Sequence, residues 1–199
     1  MTVCIYITHP EVRIDPDVPV PEWGLSDFGR ARAVAFAGRT LWPDDAVFIS
    51  STERKALEMA QILSGRKAGE IVARSEFGEN DRSATGFLPP DQFEVQVDRM
   101  FRYPGKSACG WEPAVKAQIR IARAVGAARE DFADDTPLVF VGHGCVGTLL
   151  KCHIAGRDIS RDQDQGKMSR AGGGNLFAFD LAAKRLLCDW TAMENWQGI

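Results

Sequence analysis

The run Val3-Cys4-Ile5-Tyr6-Ile7-Thr8 is apolar almost throughout and stops abruptly at His9-Pro10. With no polar alternation it reads as a strand buried on both faces, which points to a parallel sheet with helices on either side. Pro10 holds His9 in extended geometry and ends the strand. A second run of the same kind, Pro137 to Val141, delivers Gly142-His143-Gly144. Open α/β sheets place ligands at the carboxyl ends of their strands, so two histidines presented there converge if the strands are neighbours. The flanking glycines permit positive φ and close approach. A helix over Cys145 to Ala155 would aim its free N–H groups at the same crevice, and a phosphate is the simplest occupant.

The remaining chain fits the same architecture. Glu11 to Leu25 is a long loop rich in Asp and Pro, expected to cover the crevice. Ser26 N-caps a helix to about Leu41 with Val34, Ala37 and Leu41 inward. Ala46 to Ser50 is the next strand. Ser51 or Thr52 then starts a helix whose Ala56, Met59, Ala60 and Leu63 follow helical spacing. Arg54 sits in the first turn of that helix, where the dipole disfavours a cation and a bound anion would explain one. Glu70 to Arg74 is a third strand, followed by an acidic loop. Residues 82 to 111, with a helix around Phe93 to Phe101, read as a cap-like insertion. Glu112 to Asp131 is a helix with Val115, Ile119, Ala122 and Val125 inward. Gly172-Gly173-Gly174 opens an antiparallel edge hairpin, Asn175 to Asp180 and Arg185 to Trp190. The expected fold is therefore α/β: a three-layer sandwich with a mainly parallel sheet, in one domain spanning 1–199.

A net charge of −3 over 199 residues gives no general basic field for nucleic acid. No apolar stretch reaches membrane-spanning length, and the chain opens on a strand without a basic leader. Five cysteines without CxxC spacing fit reduced thiols in the cytoplasm. No metal cage or cofactor motif stands out.

In order, Thr8-His9-Pro10-Glu11, the Gly24 to Ala33 segment, Ser50-Ser51-Thr52-Glu53-Arg54-Lys55-Ala56, an acidic loop and Gly142-His143-Gly144 resemble the histidine phosphatase superfamily, with its phosphoglycerate-mutase-like fold. The resemblance implies that His9 is the nucleophile that becomes phosphorylated, and that Arg54 and His143 hold the phosphoryl oxygens. It implies that Glu79, with Glu76 in reserve, donates the proton, and that Ser50 and Gly144 lie beside the phosphate. The family motif is Arg-His-Gly-Glu, so Thr8 stands where an arginine is expected and Pro10 where a glycine is. Arg13 is the nearest cation to stand in, and Asp15 falls where an asparagine often faces the phosphate.

The first expectation is a metal-independent phosphomonoesterase acting through phosphohistidine on a small phosphorylated metabolite. The second is a catalytically weak or inactive relative that binds a phosphorylated ligand or protein. A third, a metal hydrolase built on His9, His143 and aspartates, would lose activity in EDTA. A homodimer is compatible with any of them.

Overall fold

A computed structural model describes residues 3–40 and 42–198. Among the described residues, six strands form one sheet in the order β3-β2-β4-β1-β5-β6. They are β1 (Val3–Thr8), β2 (Val47–Ser50), β3 (Val72–Ala73), β4 (Leu138–Gly142), β5 (Asn175–Asp180) and β6 (Arg185–Ala192). The first four are parallel, and β5 and β6 add an antiparallel edge. β1 and β4 are direct neighbours with Thr8 opposite Gly142, so the two histidines leave the sheet side by side.

Alternate side chains divide the core into two layers. Tyr6, Leu138, Phe140, Phe177 and Phe179 face α4 (Ala114–Glu130) and α5 (Gly144–Ala155), joined by Val97, Met100 and Phe101 of α3 (Pro90–Arg102). Ile7, Val139, Val141 and Leu176 face α1 (Asp27–Ala37) and α2 (Arg54–Ser64). Burial of this apolar surface is the main stabilising contribution.

Two helical phases differ from expectation. Ser26 caps α1 by accepting the Gly29 N–H, but the buried face is Gly29, Arg32, Ala33 and Phe36, while Val34 is 55% exposed. Leu41 lies outside the described residues. Arg32 misleads the periodicity because it is buried as an ion-pair hub, bonding Glu11, Glu194 and the Gly173 carbonyl. In α4 the inward residues are Ala114, Ala117, Ile121, Ala124, Val125 and Ala128. Val115 and Ile119 face solvent, since alanines let α4 approach α5 more closely than branched residues would. The start of α2 also shifts: Glu53, rather than Ser51 or Thr52, occupies the N-cap position. No described helix is long and apolar enough to cross a membrane.

Candidate active site

His9 continues the β1 ladder, its N–H donating to the Gly142 carbonyl and its own carbonyl accepting the Gly174 N–H. The ring centroids of His9 and His143 lie 5.2 Å apart at 72°. His9 Nδ1 is 2.8 Å from the Pro10 carbonyl, an acceptor only, so Nδ1 carries the proton and Nε2 presents a lone pair. Burial lowers the His9 pKa to about 4; Lys55 and Arg82 act in the same direction, against the Pro10 carbonyl and Glu53. The ring is neutral at pH 7. His143 is fully buried, and burial likewise holds it well below the ordinary histidine range. Its Nε2 lies 2.7 Å from Ser51 Oγ and 3.3 Å from Glu53 Oε1, while its buried Nδ1 has no protein partner. Tyr6 fixes the backbone here, its hydroxyl donating to the His143 carbonyl and accepting the His143 N–H.

The cation that the structure brings to the imidazoles is not Arg54. That side chain is 63% exposed and its Nε donates to Glu58 Oε1 at 2.9 Å. The next residue, Lys55, is 3% exposed and donates to the Val20 carbonyl at 2.8 Å and to Glu53 Oε2. Helical phase is the reason. Lys55, Met59 and Leu63 are spaced i, i+4, i+8 and share the buried stripe of α2, whereas Arg54 falls outside it. The same one-residue correction applies to serine: Ser50 Oγ donates to the Ser51 carbonyl, and Ser51 supplies the hydroxyl facing His143. Arg13 is exposed and lines a groove of about 550 Å³ with Asp15, Arg30, Arg54 and Glu58, a groove that neither histidine lines. Asp15 is occupied locally, accepting the Asp17 N–H. Arg82, which no motif singles out, is a second cation close enough to depress both histidines.

Glu79 reaches the site and Glu76 does not. Its carboxylate accepts the N–H groups of Asn80, Cys145 and Val146 at 3.0–3.2 Å. The N-terminal donors expected to meet a phosphate are thus partly occupied by this side chain. Burial pushes the Glu79 pKa up, against the pull of Arg82 and those three N–H groups. Glu76 is exposed at the surface. Glu53 goes the other way: burial would raise it, but His143, Lys55 and the Glu79 N–H outweigh that and hold it at about 2. Two carboxyls of one site are thus shifted in opposite directions by their surroundings.

Thr8 is fully buried, donating to Gln165 Oε1 at 2.8 Å and accepting the Asn175 N–H at 3.0 Å. Neither Gly142 nor Gly144 has positive φ; both serve close approach, Gly142 to the Tyr6 ring and Gly144 to the Gln165 amide. The 11–25 loop does reach the site, through the Val20 carbonyl on Lys55, and Trp23 packs on Phe87 of the insertion at 5.7 Å. Among the described residues, no group of three or more His, Cys, Asp or Glu side chains is placed to hold a metal ion.

Comparison with known proteins bears on the fold and the family. No curated protein matches the sequence. A mycobacterial glucosyl-3-phosphoglycerate phosphatase superposes with a TM-score of 0.70 at 19% identity, over 96% of this chain and 99% of its own. The same phosphatase with inorganic phosphate gives 0.65 at 21%, over 95% and 96%. YhfR of Bacillus stearothermophilus gives 0.73 at 16%, over 94% and 95%. At these identities the likeness is one of fold. Residues 12–170 match the histidine phosphatase superfamily (branch 1), a span that opens just beyond the divergent Thr8-His9-Pro10 and covers most of the chain. The chain therefore belongs to branch 1 of the histidine phosphatase superfamily.

Proposed function

We propose that the protein is a metal-independent phosphomonoesterase that hydrolyses a small phosphorylated metabolite through a phosphohistidine intermediate. The observation that carries this reading is the bare Nε2 of His9, held by the Pro10 carbonyl beside a buried His143, with Lys55, Arg82 and Glu79 around them. His9 Nε2 attacks phosphorus in line, and the P–O bond to the leaving group breaks. The departing oxygen takes the proton of Glu79, whose raised pKa keeps that proton available. Lys55 and Arg82 balance the phosphoryl charge, and His143 donates from the Nδ1 that has no protein partner. Water then attacks the phosphohistidine, Glu79 takes its proton, the N–P bond breaks, and inorganic phosphate leaves. Five free cysteines fit a cytoplasmic location.

Hydrolysis of p-nitrophenyl phosphate in EDTA, lost in His9→Ala, is the expected result. Retained activity in His9→Ala would overturn the mechanism. A second reading, a binder of phosphorylated ligands with little turnover, is favoured by one feature: Glu53 places a carboxylate against Lys55 and His143, where a phosphoryl dianion would have to compete with it. It predicts vanadate binding without hydrolysis.

A further inference from the structure

We propose that the side-chain amide of Gln165 is a phosphoryl-binding donor of this site, presented between the chain neighbours of the two imidazoles; the proposal rests on the phosphatase reading and adds a contact to it. Gln165 opens the short helix α6 (Gln165–Met168), 157 residues beyond Thr8, and no sequence motif marks it. Its Oε1 accepts two hydrogen bonds, from Thr8 Oγ1 at 2.8 Å and from Asn175 Nδ2 at 2.9 Å. Asn175 cannot be turned round to suit, because its Nδ2 also donates to the Arg170 carbonyl and its Oδ1 accepts the Arg170 N–H. That network fixes which end of the Gln165 amide is oxygen.

The nitrogen must then point the other way, and it points at Gly144. A Cβ built on Gly144 would stand 2.1 Å from Gln165 Nε2, so only glycine leaves the amide its place. Gln165 therefore touches the residue before His9 and the residue after His143. Among the described residues Nε2 donates to no protein acceptor. Its two N–H groups, oriented in advance beside the chain neighbours of the two imidazoles, are the donors this proposal assigns to an oxyanion bound at those rings. The segment is anchored from the insertion side: Arg161 pairs with Asp164 and with Glu94 and Asp98 of α3.

The chemistry also accounts for Thr8. A long cation at position 8 would collide with the Gln165 amide, whereas the threonine hydroxyl orients it. The site exchanges a side chain from β1 for one delivered by α6.

The test compares wild type, Gln165→Glu, Gln165→Ala and Thr8→Arg/Gln165→Ala by p-nitrophenyl phosphate kinetics, orthovanadate inhibition and thermal melting. Gln165→Glu keeps an acceptor for Thr8 and Asn175 but turns a negative oxygen toward Gly144. Its kcat/KM is expected to fall about 10²-fold or more, as for loss of an oxyanion donor. Vanadate inhibition should weaken at least about tenfold with an unchanged melting temperature. Thr8→Arg/Gln165→Ala should recover part of the loss of Gln165→Ala, because the arginine enters the vacated space. Kinetics and vanadate binding within about twofold of wild type in both single variants overturn the proposal, as does a loss confined to melting temperature. Hydrolysis that survives His9→Ala refutes the parent mechanism instead. Gln165-dependent vanadate binding without hydrolysis supports the contact in a binding protein. Wild type that neither hydrolyses p-nitrophenyl phosphate nor binds vanadate removes both.

Discussion

Lys55 and Arg54 are adjacent cations with opposite expected fates, and exchanging each for a neutral residue tests the geometry of the site directly. Arg54→Ala removes one exposed i,i+4 pair with Glu58, worth about 0.3–0.5 kcal/mol, and activity should stay within about twofold. Lys55→Met strands the Glu53 carboxylate, whose side chain is 13% exposed, without its lysine partner. Breaking a buried ion pair on one side costs about 3–5 kcal/mol. Losing a cation that meets transition-state charge costs a further rate factor of about 10³. Urea unfolding and p-nitrophenyl phosphate kinetics separate these two effects in the double variant Lys55→Met/Glu53→Gln. With the carboxylate neutralised, stability should return to within about 1–2 kcal/mol of wild type, while kcat/KM stays low. Full recovery of kcat/KM in the double variant would mean that Lys55 serves only to neutralise Glu53. Abolished activity in Arg54→Ala would show that the cation assignment is wrong by one residue.

Glu79→Gln should lower kcat/KM, which reports phosphorylation of His9 and not the later attack of water, by about 10²–10⁴ on substrates with poor leaving groups and much less on p-nitrophenyl phosphate, whose phenolate departs without a proton; equal losses of kcat/KM on both would remove Glu79 as the acid. His9 should make folding pH-dependent. Its folded pKa of about 4 lies below the unfolded value near 6.5, so its contribution is complete above about pH 6.5 and is lost as pH falls toward 4. Urea midpoints measured from pH 7 to 4 should decline less in His9→Gln than in wild type. Glu53, depressed to about 2, contributes above its unfolded value near 4.5 and loses that contribution between there and pH 2; Glu53→Gln should flatten the acid limb in that lower window. Gly173→Ala should cost more than about 2 kcal/mol and most of the activity, because φ is +78° and the new Cβ would lie 2.2 Å from the His9 carbonyl oxygen. Normal melting and kinetics there would show that the His9 backbone tolerates displacement.

The sequence by itself determined the two doubly buried strands, the histidine at the end of each, and the glycine-opened edge hairpin. Continuous apolar runs and chain breakers are local signals, and burial on both faces leaves few architectures for them. The family resemblance, not local patterning, pointed to Glu79, with Glu76 in reserve, in the loop after β3. Tertiary structure decided everything that turns on a single-residue phase or on distant segments. Helix and strand geometry redirect a side chain by about 100° or 180° per residue. Arg54 against Lys55 and Ser50 against Ser51 are therefore choices that the packed sheet makes, although the spacing of Lys55, Met59 and Leu63 already held the answer. Arg82 and Gln165 carried no pattern at all. Their places depend on loops folded across the crevice, and Gln165 meets Thr8 only because β1 and α6, far apart in the chain, close on the same strand end.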